Sequence, residues 1–208
     1  TMLKDYDYPK ADVVFSSTLK RCIETAKIIY PDKTPIEMRG FDECDFGEFE
    51  NLTAEELAPH KEFTEWLAGG PDAKPLNGES NQEFSTRVCD TFIKTVDGLI
   101  KTGTTSCAIF THGGVIMSIL SAFGLPELPM TEWLCPSACG YTIRITPSLW
   151  SKTRKAEVIN DIPASPLTEN QEEMLWDYYS DIPIDEPIDD NDDLSDLMDF
   201  LSFMGDEE

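Results

Sequence analysis

The chain has 208 residues, enough for one ordinary domain with an extension; 40% are apolar, which with 12 glycines supplies a packed core and excludes a wholly disordered chain. Against 16 basic residues stand 40 acidic ones, a formal charge of −24, so the surface repels nucleic-acid phosphates and anionic lipid headgroups. Seventeen of the acids lie from Asp161 to Glu208, where there is no Lys or Arg, leaving residues 1–160 at only −7.

In chain order, Asp12 to Ser16 is a β-branched and aromatic run that predicts a strand. The segment from Thr18 to Tyr30 follows with Leu19, Cys22, Ile23, Ala26 and Ile29 at helical spacing, until Pro31 ends it. Thr53 and Glu56 have the spacing of a capping box and predict a polar helix to about Leu67, broken by Gly69, Gly70 and Pro71. A second box, Ser80 and Glu83, opens a helix whose apolar stripe is Phe84, Val88, Phe92, Val96 and Leu99.

Ser106 to Phe110 (SCAIF) is nearly continuous in apolar character, as in a strand covered on both faces. Thr111-His112-Gly113-Gly114 and an apolar helix from Val115 to Phe123 come next. Two further runs, Gly140 to Ile145 and Ala156 to Ile162, predict strands joined by a turn over 147–155. Strands alternating with helices predict an α/β sandwich.

The domain is expected to span 1–162, with 163–208 an acidic, partly disordered extension that confers solubility, docks on basic surface of the body or recruits a protein partner. Within it Leu194, Leu197, Met198, Leu201 and Met204 keep helical spacing, which suits either a solvated tail or a docking helix. No apolar run is long enough to span a membrane, and six scattered cysteines without a CxxC pair suit reduced thiols, so a cytoplasmic protein with no membrane partner is expected. With only His60 and His112, both far from any Cys cluster, neither a metal nor another cofactor is implied.

Ligands of open α/β folds sit beyond the carboxyl ends of the strands, and two such ends here deliver polar groups: Ser16-Ser17-Thr18-Leu19-Lys20-Arg21 and Thr111-His112-Gly113-Gly114. Ser17 and Gly113 are therefore candidate substrate-binding residues, the glycines allowing close backbone approach and the following helix offering unpaired N–H groups to an anion. His112 is either part of that oxyanion pocket or a histidine satisfied by backbone. Arg21 is either a guanidinium fork for phosphate oxygens or a surface arginine paired with Glu24 or Asp12. Glu43 lies in a segment, 41–50, that sets carboxylates among aromatics; an apolar wall raises a carboxyl's pKa towards neutrality, whereas a solvated acidic loop does not.

Together the segments SSTLKRCIETA (16–26), FDECDFGEFEN (41–51), NGESNQEFSTRV (77–88) and FTHGGVI (110–116) resemble, in order and approximate spacing, four blocks of the histidine phosphatase (phosphoglycerate mutase-like) superfamily. The likeness runs from about Asp12 to Ile145. It implies a three-layer α/β/α sandwich, with Arg21 and His112 contacting a phosphoryl group and Glu43 as proton donor. Members begin with a strand ending in Arg-His-Gly, whose histidine attacks phosphorus, and that motif is missing from this chain. His60, after Pro59 in a polar segment, reads as a surface residue and no substitute.

Because the chain opens on Thr1 without that block, the expectation is a record that starts inside a longer protein. Its first strand would be missing, with two sheet edges left unpaired, and the chain alone would be inactive. The resemblance implies for the complete protein a phosphomonoesterase acting on a small phosphorylated metabolite through a phosphohistidine, as in short-insert bacterial phosphatases. Hydrolysis is favoured over mutase chemistry because the basic, proline-rich clamp of phosphoglycerate mutases has no counterpart. The alternative is a non-catalytic phosphate-binding or protein-interaction module working through the acidic tail.

Overall fold

The computed structural model describes residues 8–50, 52, 54–57, 59–67 and 73–163. The predicted cap at Thr53, the break at 69–71 and the extension from 164 onward lie outside these residues.

Strand β1 (Val13–Ser16) leads into helix α1 (Lys20–Ile29), which returns to a two-residue strand, β2 (Ile36–Glu37). Both β2 and the later β3 (Cys107–Phe110) pair with β1 in parallel, giving the order β2-β1-β3. Successive side chains of a strand point to opposite faces, and β1 shows this. Val14 packs with Ala26 of α1 on one face, while Phe15, with Ile109 of β3, joins the larger core on the other.

That core is organised by α4 (Asn81–Thr102) and α5 (Gly113–Phe123). The box predicted at Ser80 and Glu83 is made in both directions, and α4 ends at Gly103, whose φ of 71° suits a residue without Cβ. The predicted stripe is the buried one at Phe84, Val88, Phe92 and Val96. Each such side chain contributes roughly 1.5–3 kcal/mol on burial. Helices thus cover both faces of the first sheet, giving an α/β sandwich.

A second sheet holds β4 (Gly124–Leu125), β5 (Gly140–Arg144) and β6 (Ala156–Ile162) in the order β4-β6-β5, with β5 and β6 antiparallel and an irregularity between Thr142 and Ile143.

Three local expectations need correction. The helix expected from Thr53 to Leu67 is two, α2 (Ala54–Leu57) and α3 (Lys61–Leu67). They part at Pro59, which has no N–H for an intrahelical bond, and the ladder restarts from the His60 carbonyl, which accepts from Phe63 and Thr64. The segment between β5 and β6 is a helix, α6 (Pro147–Thr153), begun by a proline at its first position and anchored by Trp150, which is buried between Phe92 and Phe123. The SCAIF strand is only half-buried: β3 is an edge of its sheet, Cys107 is exposed, and Ala108, Ile109 and Phe110 are partly covered.

Among the described residues no helix is long and apolar enough to cross a membrane.

Candidate functional site

The in-register parallel pairing of β1 with β2 and β3 brings three strand ends level. Ser16 lies opposite Glu37 on one side and Phe110 on the other; the Ser17 N–H donates to the Phe110 carbonyl at 2.8 Å and the Met38 N–H to the Ser16 carbonyl at 2.8 Å. Chain segments 17–21, 38–43 and 111–114 therefore leave the sheet side by side. A cleft of about 790 Å³, lined by residues of β3 and β5, reaches Arg21, Glu43, His112 and Gly113 at this end.

Arg21 does not pair with Glu24, which is bonded to Lys20 instead. Its guanidinium turns to His112, donating to Nδ1 from Nη2 at 3.0 Å and from Nε at 3.3 Å. His112 is buried as the N-cap of α5, and its Nε2 lies 2.8 Å from Ser17 Oγ. Burial first and the Arg21 charge second push the imidazole down to about 4, so it is neutral near pH 7. Ser17 is wholly buried and lies away from the cleft lining, its hydroxyl donating to Asp42 Oδ1 at 2.8 Å.

Asp42 is the residue that sequence reasoning missed. Its carboxylate accepts from Ser17, from the Thr18 N–H at 2.6 Å and from the Thr18 hydroxyl at 2.7 Å, tying the first strand end to the acidic segment. Burial opposes its ionisation, but these bonds from Thr18 and Ser17 hold the carboxyl below its usual range.

Beside it, burial pushes the Glu43 carboxyl up, against the opposing pull of the Cys44 and Gly114 N–H groups and of Arg21. The carboxyl thus sits at the N-terminus of α5, and the helix approaches so closely that a Cβ on Gly114 would lie 2.6 Å from Glu43 Oε1. A carboxyl that holds its proton beside a bound anion can deliver that proton to a leaving oxygen.

The loop carrying Asp42 and Glu43 is held by Arg87 of α4. Its Nη1 donates to the carbonyls of Arg39, Gly40 and Asp42, and its Nη2 to that of Glu43 at 3.2 Å. Glu79 takes the guanidinium fork at 2.7 and 2.6 Å, and its carboxyl is held low by that contact in spite of burial. Elsewhere, Lys61 pairs with Glu65 and Lys74 with Glu83. Asp42 and the Arg87–Glu79 pair carry no local signature, because their partners lie in other segments. His60 is exposed at the start of α3, against the Phe49 ring. Among the described residues no group of His, Cys, Asp and Glu is placed to hold a metal ion.

Parallel strands between helical layers, with polar groups gathered at their carboxyl ends, define an α/β sandwich with a strand-end site. The sequence profile of the Histidine phosphatase superfamily (branch 1) matches residues 3–158, and the chain belongs to that superfamily. Among solved structures it is similar to the alpha-ribazole phosphatase from Shigella flexneri, with a TM-score of 0.61, 23% identity and 76% of each chain covered. It is also similar to a phosphoglycerate mutase from Thermus thermophilus, with a TM-score of 0.52, 24% identity and again 76% of each chain. At these identities the two structures speak for the fold. No curated protein matches the chain.

Proposed function

We propose that the chain provides the phosphoryl-binding and proton-donating part of a phosphomonoesterase for small phosphorylated metabolites. The observation that carries this reading is the meeting of Arg21, His112 and the buried Glu43, whose carboxyl is pushed up by desolvation, at one end of the cleft. Arg21 and the N-terminal turn of α5 at Gly113 hold the phosphoryl oxygens with His112, and Glu43 gives its proton to the departing alkoxide. A histidine attacks phosphorus, and water activated by Glu43 then hydrolyses the phosphohistidine.

Neither described histidine fills the nucleophile's place, His112 being bonded to Arg21 and Ser17 and His60 lying exposed just before α3. The nucleophile in this reading is therefore a histidine other than these two, brought to the cleft beside β3. In this reading hydrolysis is favoured over mutase chemistry, because the sequence has no counterpart of the basic, proline-rich clamp of phosphoglycerate mutases.

The test is phosphohistidine trapping on the protein isolated from its native source, with a phosphomonoester labelled at phosphorus. An acid-labile, base-stable label is expected, and Arg21→Ala and His112→Ala should each lower turnover about a hundredfold or more. No label, together with retained binding of inorganic phosphate, would instead favour a non-catalytic phosphate-binding module.

A further inference from the structure

The hydrogen bonds around His112 fix its tautomer, and the tautomer has a consequence for anion binding. A guanidinium only donates, so His112 Nδ1 accepts from Arg21. A neutral imidazole carries one ring proton, which is then on Nε2, pointed at Ser17 Oγ at 2.8 Å. Ser17 has one proton of its own and gives it to Asp42 Oδ1; its two lone pairs take His112 Nε2–H and, at 3.1 Å, the Leu19 N–H. Every donor and acceptor of the serine is thereby used, and the relay Arg21, His112, Ser17, Asp42 runs in one direction from cation to anion.

We propose that Asp42 is a positioning residue that acts through Ser17 to hold His112 as the Nε2–H tautomer with Nδ1 facing Arg21, so that an oxyanion binds there only as Nδ1 takes up a proton. The second half of this inference rests on the reading of Arg21 and His112 as a phosphoryl site; the first half does not. An oxyanion that takes over the Arg21 donors meets a lone pair on Nδ1 and is repelled until a proton from solvent is added to that nitrogen. The imidazolium then donates from Nδ1 to the anion and from Nε2 to Ser17, with the Asp42 charge at the far end of the relay to stabilise it.

The groups that face the ring set the balance. Arg21 and Cys22 come from α1, Ser17 from the end of β1, Asp42 and Glu43 from the acidic loop, and the Arg87 charge from α4. Arg21 and Arg87 oppose protonation in the free site, and Asp42 favours it. A bound dianion reverses the sign of the field from the Arg21 side.

The chain has only two histidines, so long-range proton–nitrogen spectra of the uniformly labelled protein resolve His112 with His60 as internal reference. The Nε2–H form is expected in the wild type, and Ser17→Ala and Asp42→Ala, shown folded by their amide spectra, should lose that preference. Asp42→Asn keeps an acceptor for Ser17 and should retain the tautomer, which covers the case where the alanine variants do not fold. An Nδ1–H tautomer in the wild type, or an unchanged one in both folded alanine variants, overturns the relay.

Inorganic sulfate, a dianion that does not titrate near neutrality, then probes the second half. Wild-type affinity should fall with rising pH by up to about tenfold per unit, with both ring nitrogens protonated in the bound state and weaker binding in Asp42→Asn. Sulfate bound with Nδ1 still unprotonated overturns proton uptake. No sulfate binding at all, beside an Asp42-dependent tautomer, overturns the phosphoryl reading and leaves the positioning role standing.

Discussion

The two sheets carry their charged residues in opposite ways. At the first sheet, Arg87 and Glu79 are 26% and 20% exposed, and the guanidinium is tied as well to four backbone carbonyls. At the second, Arg144 and Glu157 form a similar fork at 2.9 and 3.0 Å, but are 60% and 38% exposed and, among the described residues, their side chains bond only each other. The contact distances are much alike, so the difference lies in what surrounds them. Water competes for the second pair, whereas around the first Arg87 supplies a donor to the part-buried carbonyls of Gly40, Asp42 and Glu43.

That contrast can be broken experimentally, and the largest effect is expected at Arg87. Arg87→Ala leaves Glu79 without its counter-charge and removes the donor to the Gly40, Asp42 and Glu43 carbonyls, and should lower unfolding free energy by about 2–4 kcal/mol in a denaturant titration. A loss below about 1 kcal/mol would place this pair with the exposed ones.

An intermediate, pH-dependent effect belongs to His112. Its pKa falls from 6.5 in the unfolded chain to about 4 in the folded one, so the unfolded state binds more protons between these values. Stability should therefore decline as pH drops from 6.5 towards 4, and the wild type should lose more over that window than His112→Gln. Parallel curves for the two proteins, followed by thermal unfolding, would mean that the imidazole is not held neutral by its surroundings.

The smallest effect is expected at the second sheet, where Arg144→Ala should leave the melting temperature unchanged and insensitive to added salt. A clear drop would show that the fork on β5 and β6 is as fixed as that of Arg87.

The legible parts of the fold were those whose signals are local. The stripe from Phe84 to Val96 and the Ser80–Glu83 box depend on residues three or four apart, and α4 follows both. The 147–155 segment was misread because the reason for its helix, the packing of Trp150 against Phe92 and Phe123, comes from residues far along the chain. The apolar character of SCAIF was likewise readable, but not its place at a sheet edge beside a cleft. In the site, Arg21, Glu43, Gly113 and His112 were singled out and lie around one end of that cleft. Ser17 was singled out as well, but its hydroxyl faces inward to Asp42 and His112.

By itself the sequence determined the segments with strong local periodicity, such as α4 and β1, the order of the chemistry-bearing blocks and the division of charge between body and tail, because propensity, periodicity and composition act over a few residues. Only the tertiary structure decided that His112 is neutral, that burial raises the Glu43 carboxyl, and that Asp42 and Arg87 hold the loop between them. Desolvation and hydrogen-bond direction are properties of surroundings, and those surroundings exist only once level parallel strands have brought residues 17, 42 and 112 together.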